Sequence, residues 1–177
     1  MFTSAHVDEL LDARGVCEYV IEGKSEVPSD NLVLFFRNPV SKEAHAIDLS
    51  QDPGTSISTL LGACSPAAFG RGSQGVLDPS YRRALKLDST DFAINFSPER
   101  LGIVNRIEKR LGNSPFKRRG KPRKVYAGLY KLNCYSQGGF FKAHKGTSRA
   151  ANMLGSLVVN LPTVHSGGES SLSPIST

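Results

Sequence analysis

KVYAGLYKLNCYSQGGFFKAHKGTSRAANMLGSLVVNLPTVHSGGE, residues 124–169, divides into three strand-like runs. The first, 125–135, is rich in Val, Tyr and Leu. The second, 140–144, is short and ends on His144. The third, 154–161, contains the continuous apolar run Leu157, Val158 and Val159. Gly-rich or polar clusters at 136–139, 145–152 and 162–168 separate them, as turns separate strands. A histidine at a strand end has its surroundings set by a sheet, which is how rigid metal sites are commonly built.

The segment before this stretch, 97–112, predicts a helix. Ser97 is placed to cap it and Pro98 to occupy its first position. Leu101, Val104, Ile107 and Leu111 recur at spacings of three and four, an apolar stripe expected to pack on the 125–161 strands. Gly112 and Asn113 end it. Further upstream, Asp78-Pro79-Ser80 predicts a helical turn over 81–86, and 56–64 a short helical patch. Residues 32–36 and 44–49 read as strands of a small antiparallel unit, with Asn38-Pro39 breaking the first. Before them, 15–21 reads as a strand and 4–14 as a short helix capped by Ser4. Gly70, Gly72 and Gly75 spell G-x-G-x-x-G. No parallel strand precedes them and no βαβ pattern surrounds them, so a loop is expected rather than a dinucleotide site.

The totals fit this picture. A chain of 177 residues with 39% apolar and 21% charged residues suggests one globular domain with an N-terminal extension. Seventeen Gly and ten Pro favour turns over long helices. No apolar run is long enough to span a bilayer. The first fifteen residues carry acids and no apolar h-region, so no secretory signal is expected. Cys17, Cys64 and Cys134 are far apart, odd in number and without CxxC spacing. That argues against a disulfide framework or structural zinc and for an intracellular location, cytoplasmic or nuclear. Cys134 reads as strand packing. Of 22 basic residues, six lie between Lys117 and Lys124 (KRRGKPRK), and the remaining sixteen balance sixteen acids. This run is a solvated loop or a patch for weak, non-specific polyanion binding; it lacks the interleaved aromatics of a single-strand reader.

LYKLNCYSQGGFFKAHKGTSR followed by MLGSLVVNLPTVHSGGE resembles the metal-binding half of the iron(II)/2-oxoglutarate oxygenases, in particular the prolyl-4-hydroxylase-like group of fungal type. AFGRGSQGVLDPSYRRALKLDSTDFAINF resembles their upstream part, so the resemblance covers 66–169. It implies an α+β fold: a partial double-stranded β-helix, or jelly roll, with N-terminal strands and packing helices. Residues 1–65 are then an N-terminal extension with a short helix and strands, 66–169 an incomplete oxygenase-like domain, and 170–177 an irregular tail. It also implies the cofactors iron(II) and 2-oxoglutarate, and oxidative hydroxylation as the parent activity. His144 matches the first histidine ligand, and Tyr130 lies where a tyrosine can touch 2-oxoglutarate.

The carboxylate of the family's His-x-Asp falls on Gly146. His165 lies in the turn after the third run, not at the distal-ligand position, and no histidine follows it. The expectation is a C-terminally truncated chain, inactive alone, with one ligand of the facial triad. Two alternatives stand beside it. One is a halogenase-like His-x-Gly site completed in trans. The other is a non-catalytic interaction module using the basic loop. An uncovered apolar face on 157–161 and an unpaired strand edge would favour self-association.

Overall fold

The computed structural model describes residues 32–51, 54–71, 74–112, 124–144, 152–163 and 165–168. Strand β1, Val33–Arg37, is apolar up to Arg37 and alternates in burial: Leu34 and Phe36 point inward while Phe35 and Arg37 stay exposed. It pairs antiparallel with β2, Ala44–Asp48, in the register Leu34↔Ile47 and Phe36↔His45. The connecting turn is held by Asn38. Its side-chain oxygen accepts from the Val40 and Ser41 amides, and its carbonyl from the Lys42 amide. This is the local bonding Asn offers a turn.

Helix α1, Gly54–Ala63, follows and buries Leu60 and Ala63. Next come β3 (Ser65–Pro66), β4 (Phe69–Arg71), β5 (Gln74–Val76), β6 (Arg82–Arg83), β7 (Leu85–Asp88) and β8 (Phe92–Ile94). Helix α2 spans Ile103–Gly112, β9 Lys131–Cys134 and β10 Phe140–Phe141. Strands order as β2-β1-β8, β3-β7-β9, β4-β5 and β10-β6, every pair antiparallel. Pro66, which has no amide to donate, sits on the edge strand of its sheet. The fold class is α+β: short antiparallel sheets that do not close, with two helices among the described residues.

One core joins the β2-β1-β8 and β3-β7-β9 sheets. Leu34, Phe36, Ile47, Leu60, Leu87 and Phe92 are buried together, with Leu132, Cys134 and Leu161 half-buried against them. Leu34 and Leu87 are almost completely enclosed. Burying a side chain of that size contributes about 1.5–3 kcal/mol.

Several elements differ from the expectation. The 125–135 run pairs only over Lys131–Cys134, and the 140–144 run only over Phe140–Phe141. Residues 154–161 form no strand, and Leu154, Leu157, Val158 and Val159 are exposed. Residues 81–86 hold β6 and the start of β7 instead of a helical turn. Asp78 does bond the Ser80 amide and hydroxyl, but the turn it makes opens a strand.

The helix expected from Ser97 begins at Ile103. Ser97 accepts from the Arg100 amide and starts a separate turn. Gly102 then takes φ 68°, a left-handed conformation that breaks helical continuity. In α2, Val104 is buried, and Glu108 accepts from the Val125 amide at 2.7 Å, tying the helix to the chain that leads into β9. Of the G-x-G-x-x-G run, Gly70 on β4 pairs antiparallel with Gly75 on β5, and Gly72 lies outside the described residues. The helix read at 4–14, the strand at 15–21, and Gly146 lie outside the described residues.

Candidate functional site

β10 places the candidate histidine. Phe140 pairs with Arg83 and Phe141 with Arg82, and the ladder continues as a bond from the Lys142 amide to the Tyr81 carbonyl, 3.0 Å. The Tyr81 hydroxyl donates to the Ala143 carbonyl at 2.8 Å. The chain from 140 to 143 is therefore bound to the 81–83 segment at four successive residues. Gly139, at the entry to β10, lies so close to this segment that a Cβ there would stand 2.8 Å from the Ser136 carbonyl oxygen and 3.1 Å from that of Arg83.

Below the histidine lies a group of rings. Phe141 lies 6.2 Å from Phe69 and 6.0 Å edge-on from Tyr81, and Phe69 and Tyr81 are 4.5 Å apart. Arg82 covers Phe141, its guanidinium carbon 4.4 Å from the ring centroid. One Arg82 nitrogen donates to the Ala68 carbonyl and another to the Asn133 side-chain oxygen, each at 2.8 Å. Arg82 is the one buried charged residue among those described, and its Nε has no hydrogen-bond acceptor there.

His144 stacks on Phe141, and its Nδ1 lies 3.0 Å from the Lys142 carbonyl oxygen. A carbonyl only accepts, so this contact puts the ring proton on Nδ1 and leaves the Nε2 lone pair available. The imidazole is exposed. It is equipped to donate one lone pair to a metal or to accept a proton. Asp78, on the turn before β6, is held below the usual carboxylate range, first by the Ser80 hydroxyl, then by the Ser80 amide, with Lys142 contributing its charge.

Tyr130 lies just before β9, in a different sheet from β10, half-exposed and with the Lys131 ammonium 4.5 Å from its ring centroid. His165 is exposed with Nδ1 2.8 Å from the Thr163 carbonyl oxygen. No group of three His, Cys, Asp or Glu that could hold a metal occurs among the described residues. One imidazole over a phenyl ring is not the two-histidine, one-carboxylate face that iron(II) of this chemistry requires. The described residues do not make up an iron site.

Sequence reasoning missed Phe69, Tyr81 and Arg82 as neighbours of His144. Only the pairing of β6 with β10, which sets Arg83 opposite Phe140 and Arg82 opposite Phe141, brings them there, and no local pattern encodes it. No helix among the described residues is long and apolar enough to cross a membrane. Comparison with protein-family models, with curated proteins and with solved structures finds no match to this chain.

Proposed function

We propose that this chain is a prolyl-4-hydroxylase-like member of the iron(II)/2-oxoglutarate oxygenase superfamily in which His144 keeps the first ligand position but the chain alone does not turn over. Residues 66–169 would correspond to the metal-binding half of the double-stranded β-helix. The supporting observation is the setting of His144: it lies three residues past β10, stacked on Phe141, and its Nδ1 faces a backbone carbonyl. Metal-ligating histidines are typically oriented by that bond on the other ring nitrogen.

The inactive reading follows from ligand count. Gly146 stands where the carboxylate belongs and offers no donor. A single imidazole does not retain iron(II) against water. Anaerobic titration of the full chain with iron(II) and 2-oxoglutarate tests this. The expected result is no visible charge-transfer band and no iron retained after desalting. A band that saturates at one iron per chain, and disappears in His144→Ala, would overturn the inactive reading while supporting the family assignment.

A second, non-catalytic reading is favoured by the exposed side chains at 154–159. Leu154 is 62% and Val158 74% exposed. Such a surface fits an interaction module that associates with its own copies. The Lys117-to-Lys124 run, of which Lys124 alone is described, would add salt-sensitive polyanion contact. Concentration-dependent sedimentation that Val158→Lys abolishes supports this reading; a monomer at all concentrations opposes it.

A further inference from the structure

Cys64 and Cys134 are 70 positions apart in the chain, yet their sulfurs lie 3.8 Å from one another. Cys64 follows α1, and Cys134 ends β9. The sheet β3-β7-β9 brings them together: Ser65 pairs with Lys86 and Lys86 with Asn133, so the residues next to each cysteine share one row of the ladder. Both side chains are half-buried against the common core. A packing role alone would not require the two sulfurs to meet, and the functional reading above uses neither.

We propose that Cys64 and Cys134 form a modification site that closes reversibly to an intramolecular disulfide by exchange with a low-molecular-weight disulfide. A formed disulfide has its sulfurs about 2 Å apart, roughly 2 Å closer than here. Side-chain rotation, with a shift of the two-residue edge strand β3, supplies the approach. The contact with Cys64 holds the Cys134 thiol below its ordinary value, with burial acting against it. The same contact, and then burial, pushes Cys64 up. Either sulfur can donate across this contact, so either thiol can attack first, and both orders give the same disulfide.

With Cys134 attacking first, its thiolate takes one sulfur of the reagent disulfide, forming a mixed disulfide and expelling one thiolate. Cys64 then loses its proton and attacks the Cys134 sulfur, expelling the second. Two protein thiols are oxidised, the reagent's sulfur–sulfur bond is reduced to two thiols, and the protons balance. The bond fastens the end of α1 to the end of β9 and constrains a long stretch of the unfolded chain.

The test uses the full-length chain carrying Cys17→Ser, which removes the third thiol, equilibrated with oxidised glutathione. The expected products are a Cys64–Cys134 linked peptide, found by mass spectrometry after non-reducing digestion, and a melting temperature several degrees higher that returns on reduction. Cys64→Ser should trap glutathione on Cys134. The unsubstituted protein, read for the same linked peptide, covers the case in which a variant does not fold. Glutathione adducts on both cysteines without closure, or unreacted thiols at an oxidised-to-reduced ratio that oxidises an ordinary dithiol, would overturn the proposal.

Discussion

The Phe141 ring lies against the His144 imidazole, centroids 3.6 Å apart and planes 18° from parallel. His144 lies three residues after Phe141, past the end of β10, so the orientation of the imidazole is set by the ring beneath it as well as by the Lys142 carbonyl. Phe141→Leu keeps much of the buried volume but removes the stacking face. The His144 ring protons should then shift downfield in proton NMR as the ring current is lost, with a stability cost of about 1–2 kcal/mol. Unchanged His144 resonances would mean the stack is not populated.

Arg82 holds three partners at once: the Ala68 carbonyl, the Asn133 side chain and the Phe141 face. Lysine keeps the charge but not the planar fork. Arg82→Lys should lower unfolding stability by about 1.5–3 kcal/mol, the usual effect of losing charged hydrogen bonds in a buried setting. Urea unfolding measures it. A change within error would show that lysine rebuilds the contacts.

Gly139 and Gly102 make a contrasting pair. Gly139→Ala would press a methyl group on two backbone oxygens that cannot swing aside. Its expected cost is about 2–3 kcal/mol, with loss of the β6–β10 pairing. A Cβ at Gly102 meets nothing within 4 Å, so Gly102→Ala suffers only from its left-handed φ, about 1 kcal/mol. Equal costs would contradict the close packing at Gly139.

Asp91 anchors the far end of β1. Its carboxylate accepts from the Arg37 guanidinium at 2.9 Å, which holds it below the usual carboxylate range, with the Thr90 hydroxyl helping. Asp48 is lowered by the Ser50 hydroxyl and amide, and Glu99 by its own amide and then the Ser97 hydroxyl. A carboxylate with a depressed native pKa stabilises the fold above its unfolded pKa, near 4, and that contribution vanishes as pH falls through the native value. Thermal stability should therefore fall below about pH 4. Asp91→Asn should make the decline shallower. An identical acid limb in the variant would show that the Arg37 contact does not couple to protonation.

The legible parts of the chain were those whose signal is local. The apolar run 32–36, broken by Asn38-Pro39, and the run 44–49 read as strands, and they form β1 and β2. Leu157, Val158 and Val159 were not legible, because a short continuous apolar run has no period and reads equally well as a buried strand. Asp78-Pro79-Ser80 misled for a related reason: the same cap chemistry opens a helix or a turn into a strand. The rings of Phe69 and Tyr81 gain their meaning only from β10, which the sequence alone does not pair with β6.

The attachment of β10 also orders events in time. The β1–β2 hairpin closes over a short turn, whereas the bond from Tyr81 to Ala143 spans 62 positions. Closing the longer span costs about 2 kcal/mol more chain entropy before any contact repays it. The hairpin is thus an early folding event and the histidine-bearing strand a late one. β10, only two residues long, should open first in the native state, with the Lys142 amide exchanging its hydrogen ahead of the Phe35 amide.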